Sequence, residues 1–206
     1  MIVWTLLAGA GGLLAGRLAT PLTEPYCCRS RLRTAGIPLV AALVSALFAY
    51  RLGATPAVVA FLYLGVVGTL LAFVDAAVKR LPDPFTLPSY GVGIALLAGA
   101  APFTGDGAHR FLSALIGMAV LWSFYGVQHV LLPHALGRGD VKLAGILGLY
   151  LGWLGQDAWR LGALAGLVLS GLYSAFLLLT RRGSRKSEIP MGPFMLAGAL
   201  LAIAVQ

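Results

Sequence analysis

Apolar residues run through this chain in long stretches, and its polar residues gather in short clusters between them. Eight apolar runs stand out, at roughly 2–22, 36–50, 56–75, 86–103, 110–132, 140–156, 159–180 and 190–206. A helix that crosses the hydrocarbon layer needs about 20 mostly apolar residues, and the runs match that length, some of them on the short side. The pattern predicts an all-α, polytopic membrane helix bundle of about eight transmembrane helices. Residues 1–206 then form a single membrane-embedded unit, with almost nothing left for a water-soluble domain.

Glycines recur inside the runs at a spacing of four, at Gly12 and Gly16, Gly148 and Gly152, and Gly162 and Gly166. Small residues at that spacing let helix backbones approach closely in lipid, so these glycines are expected to shape the bundle. The first run has no basic segment before it and no small-x-small cleavage pattern, so it reads as a retained helix and not as a leader.

Composition sharpens this picture. The chain is 59% hydrophobic and 11% charged, with 27 glycines and a mean hydropathy of +0.90, far from a soluble domain. The net charge of +8 could point to nucleic acid, but its distribution excludes that. Eleven of the 15 basic residues fall in alternate loops, at 29–33, 79–80, 138–142 and 181–186, while Arg51, Arg110 and Arg160 occupy the other set and Arg17 lies within the first run. Basic residues favour cytoplasmic loops, so both termini are expected outside.

In so apolar a chain, carboxylates at membrane depth need a reason, because each costs roughly 2.5–3.5 kcal/mol at a helix centre. Asp140 stands at the mouth of a run in Gly137-Arg138-Gly139-Asp140-Val141-Lys142-Leu143. Gly137 and Gly139 would let the chain approach another helix closely or unwind beside it, and a helix N-terminus favours negative charge. Asp75 closes another run, where the helix dipole opposes a carboxylate. Asp83, followed by Pro84, has a structural occupation as the cap of the fourth helix. Asp106 reads as a solvated turn residue, Trp122 and Tyr125 as interface anchors, and His129 as a packed or interface histidine. Cys27 and Cys28 are adjacent and supply too few ligands for a structural zinc site. No metal or cofactor is expected. Pro190, Gly192 and Pro193 make a rigid, non-helical lead into the last helix.

Asp75 and Asp140, 65 residues apart, fall at the same membrane boundary by this topology, facing the cytoplasm. Two carboxyl groups brought together share a proton and titrate as a pair. One can act as base on a water while the other polarises a carbonyl, as in aspartic proteases. A proton-coupled transporter would also use paired carboxylates as a relay, and that alternative stays open.

Three segments in order resemble the type IV prepilin leader peptidases: Gly137-Arg138-Gly139-Asp140 their GxGD signature, Asp75 through Leu81-Pro82-Asp83 and Thr86-Leu87-Pro88 the region of their first catalytic aspartate, and Ile189-Pro190-Met191-Gly192-Pro193 their C-terminal signature. The resemblance implies a bacterial inner-membrane aspartic endopeptidase that cuts the basic leader from prepilins or prepilin-like secretion subunits at the cytoplasmic face. Asp75 and Asp140 would be its catalytic pair and Gly137 and Gly139 their flexible support; apart from the resemblance, Lys79 and Lys142 are expected to tune the pair or meet the substrate. Pre-flagellin peptidases share this chemistry. Larger members carry a zinc-binding insert between the first two spans and also methylate the new amine; here residues 23–35 with Cys27-Cys28 stand in its place, so a peptidase alone is expected.

Overall fold

With no water at membrane depth, a segment satisfies its backbone N–H and C=O groups most simply by coiling into a helix, and each of the eight runs does so. The computed structural model describes residues 1–26, 31–131, 136–180 and 190–206, with the backbone alone at 31–33. The helices are α1 (Ile2–Ala19), α2 (Arg31–Leu52), α3 (Val58–Val78), α4 (Asp83–Ala100), α5 (Gly107–Leu131), α6 (Arg138–Leu154), α7 (Gln156–Leu179) and α8 (Gly192–Val205), and 3-10 turns extend α1 over Thr20–Thr23 and α4 over Ala101–Phe103. There is no strand among the described residues.

Six of these helices are long and apolar enough to cross a membrane, within the expected bundle of about eight helices, some of them short. The exceptions are α6, with 17 residues, and α8, with 14. At 1.5 Å per residue they reach about 26 and 21 Å. Their shortness goes with their place in the bundle. From Asp140 to Trp153 every residue of α6 except Lys142 is buried, and α4, α5, α7 and α8 pack around it. Aromatic rings tie this centre to its neighbours: Tyr150 of α6 meets Phe61 of α3 edge-on at 5.4 Å, and Phe61 meets Phe48 of α2 at 5.8 Å. Outward the helices present apolar residues such as Leu14, Leu112, Leu164 and Leu179, the inverse of a soluble surface.

The glycine spacing has its expected effect. Gly148 and Gly152 of α6 lie against the α5 backbone at Gly117 and Ser113, Gly12 and Gly16 of α1 against α2 at Ser45 and Ala41, and Gly162 and Gly166 of α7 against α8 at Ala199 and Met195. A side chain at Gly148 would run into the Gly117 carbonyl, so α5 and α6 touch backbone to backbone here.

Candidate active site

Asp75 lies in the last turn of α3 and is 3% exposed. Lys79 ends that helix in the left-handed conformation (φ 53°), its amide donating to the Asp75 backbone carbonyl at 2.7 Å. A carboxylate there faces the negative end of its own helix. The opposing field comes from elsewhere in the chain. The first residue of α8, Gly192, donates its backbone N–H to Asp75 Oδ2 at 2.9 Å, in a buried bond spanning 117 residues of sequence. The positive N-terminus of α8 thus offsets what α3 imposes. Only glycine allows this approach, since an added Cβ at 192 would stand 2.8 Å from Asp75 Oδ2. Pro193 falls at the second position of α8, where its missing N–H is no loss. Gly192 and Pro193, expected in a non-helical lead-in, are instead the first two residues of α8, and the start of that helix is the seat of Asp75.

Asp140 occupies the third position of α6 and is 9% exposed. Its Oδ2 accepts the Gly137 backbone N–H at 3.0 Å, and its own N–H donates to Gly137 O at 3.1 Å. Of the two roles expected for the flanking glycines, the structure selects close approach. Neither has positive φ, and α6 is helical from Arg138 onward, so nothing unwinds. What Gly139 supplies is room: an added Cβ would lie 2.8 Å from Leu81 Cβ. The first turn of α6 thereby presses on the connection between α3 and α4, and this contact draws the Asp75 segment to Asp140. The two carboxylates lie within Coulombic reach of each other, and His129 is also within reach of Asp140. Among the described residues, the Oδ1 atoms of Asp75 and Asp140 have no hydrogen-bond partner.

Other expectations are revised. Asp83 is the first residue of α4, not its cap. The cap position belongs to Pro82, and no side chain closes it. Asp83 instead pairs with Lys142, a side chain expected to serve the aspartate pair, so that α4 is tied to α6. Lys79 is exposed and shapes the end of α3. Tyr125 is not an interface anchor: it is 1% exposed, packed inside and within Coulombic reach of Asp140. His129 does pack: half-buried, it has its Nδ1 2.7 Å from Leu136 O, which braces the approach to Gly137. Cys27, Cys28 and Ile189 lie outside the described residues. No group of three or more potential metal ligands occurs among the described residues.

Tyr90 gave no signal in sequence. Its hydroxyl donates to the Lys142 carbonyl at 2.6 Å and fits against α6 only because residue 145 is glycine. Tyr90→Phe is expected to lower stability by about 1 kcal/mol, seen as an earlier midpoint in a denaturant titration in detergent.

The two carboxyl groups are buried, each held through one oxygen by a backbone amide, and lie within Coulombic reach of each other. Comparisons with known proteins bear on what such a pair is for. The model of the type IV leader peptidase family matches residues 62–180, a stretch that contains both aspartates. The chain is similar to the prepilin leader peptidase/N-methyltransferase of Aeromonas salmonicida strain A449, 32% identical over 170 residues, with 81% of this chain and 56% of that protein covered. The protein of the same description from Aeromonas hydrophila is 32% identical over 173 residues, with the same coverage. That from Pseudomonas putida is 29% identical over 182 residues, covering 85% of this chain and 60% of the relative. The chain spans a little over half the length of these relatives. No solved structure matches it significantly.

Proposed function

The chain belongs to the type IV leader peptidase family, and from that premise we propose that it is an aspartic endopeptidase of the bacterial inner membrane. It removes the basic leader from prepilins or prepilin-like secretion subunits at the cytoplasmic face and leaves the apolar helix in the bilayer. Asp75 and Asp140 are the catalytic pair. What supports this reading is that two buried aspartates, remote in sequence, lie within Coulombic reach of each other at the end of α3 and the start of α6, each held by a glycine amide.

The chemistry follows from one shared proton. The ionised carboxylate takes a proton from a water as its oxygen attacks the scissile carbonyl carbon, while the protonated partner donates to the carbonyl oxygen. The tetrahedral intermediate collapses when the first carboxyl gives the proton it took from water to the amide nitrogen, the second takes one back from a hydroxyl of the intermediate, and the C–N bond breaks. The leader departs with a new carboxylate and the apolar segment keeps a new amine. Gly192 and Gly137 hold one oxygen of each aspartate in place throughout, which is the orientation that general acid–base catalysis demands.

Methylation of that amine is not part of the proposal. Adjacent Cys27 and Cys28 supply two of the four ligands a structural zinc site takes, so the residues of this loop do not fit that metal.

Co-expression of the chain with a candidate prepilin, followed by mass spectrometry, tests the proposal. The expected product lacks the leader and carries an unmodified amine. Prepilins left full-length, across a panel with basic leaders, would overturn it. Asp83→Asn is expected to keep cleavage within about threefold of the parent in the same assay, because an exposed ion pair contributes only about 0–1 kcal/mol. Loss of cleavage there would move the reactive role from Asp75 to Asp83.

A further inference from the structure

Helices α5 and α6 meet backbone to backbone at one end and part at the other. At Gly117 an added Cβ would lie 2.5 Å from the Gly148 carbonyl oxygen, whereas at Gly126, toward Asp140, it would meet only Val141 Cγ1, at 3.8 Å. The wedge between them is a groove of about 640 Å³ whose walls include Trp122, Gly126 and Val127 of α5 and Val141 of α6. Its mouth is open: Trp122 is 52% and Val127 58% exposed. The polar residues of its lining are Ser123, His129, Arg138 and Lys142.

We propose that this groove seats the apolar helix that follows the leader in the substrate, a proposal that rests on the peptidase reading above. Three observations favour that occupant. The groove lies close to Asp140, since its lining includes Val141, the next residue, and His129, which is within Coulombic reach of Asp140, so a helix lying in it brings its end near the reacting groups. It opens sideways among lipid-facing apolar side chains, so a substrate already in the bilayer enters without leaving lipid. Its rim is basic, and like charges oppose one another across an interface. Lys142 is paired with Asp83, so Arg138 is the rim cation that turns a basic leader toward water, which leaves the apolar side of the scissile bond to occupy the groove. The volume takes the side chains of one helix face and not a whole helix, so the substrate lies against α5 and α6 along one side.

The test uses the full chain in membranes with a prepilin. A photo-crosslinking residue replaces Val127 in one variant and Leu164 of α7, 61% exposed, in another, each also carrying Asp140→Asn so that substrate remains uncut. An adduct from position 127 to the apolar helix of the prepilin, with none from position 164, is expected. In the otherwise native chain, Gly126→Ala and Gly126→Leu fill the groove by steps. The leucine variant is expected to raise KM for full-length prepilin about tenfold, with kcat changed less than about twofold, the mark of lost binding. Adducts to phospholipid alone, equal adducts from both positions, or an unchanged KM in both glycine variants would overturn the groove while leaving the peptidase standing. A parent chain that cuts no prepilin overturns the peptidase reading, and this proposal with it.

Discussion

Asp75→Asn and Asp140→Asn are each expected to reduce leader removal by roughly 10³-fold or more, at the upper end of what a positioned acid or base contributes. Asparagine keeps the size of aspartate and an oxygen that can accept the same backbone bond, from Gly192 in one case and from Gly137 in the other. Both substitutions also remove a carboxylate from a buried position, so no packing or solvation penalty works against the fold. What they remove is the exchangeable proton. Membrane levels and unfolding midpoints close to the parent's, together with loss of cleavage measured by mass spectrometry, are the expected result. Loss of the folded protein itself would show that the aspartates serve structure.

Gly192→Ala carries the second large effect, and it reaches the chemistry without touching either carboxyl group. The new Cβ would stand 2.8 Å from Asp75 Oδ2 and 3.2 Å from its Cγ, so either Asp75 turns away or the start of α8 retreats. Both routes weaken the Gly192 N–H bond to the carboxylate. A displacement near 1 Å can reduce a rate by about 10²-fold, while overpacking of this kind costs roughly 1–3 kcal/mol of stability. Cleavage is therefore expected to fall much further than the unfolding midpoint. Gly171→Ala in α7 is the matched control, because nothing lies within 4 Å of its added Cβ. There the helix gains up to about 1 kcal/mol and cleavage is expected to stay at the parental rate. Equal behaviour of the two variants would remove the role assigned to the start of α8.

How much of this was legible beforehand depended on whether the governing contact was local. The eight helices followed from the runs, and their backbone contacts followed from glycines spaced by four, because both signals lie within a few residues of sequence. Asp75 and Asp140 stood out because an isolated carboxylate in an apolar run is costly whatever surrounds it. The centrality of α6 was not legible, since a helix wrapped in protein and one wrapped in lipid are apolar for the same reason. Tyr125 shows this at the level of one residue: position near a helix end read as an interface anchor, and packing put it inside. Gly192 shows the other limit. It was noticed as part of a stiff turn, but its partner lies 117 residues away, and no local pattern connects an amide at the start of α8 with a carboxylate at the end of α3. Asp83 was misread as a cap for the same reason, its partner Lys142 being 59 residues further on.

The central claim is that Asp75 and Asp140 work as one unit on one proton, and the rate of leader removal by the Asp75→Asn/Asp140→Asn double variant, set beside each single variant, tests it most directly. Members of one catalytic unit are non-additive, because losing either already disables the other. The double variant is expected to cut no more slowly than the slower single. A double variant whose deficit is the product of the two single deficits, or a single variant that cuts as fast as the parent, would contradict the account.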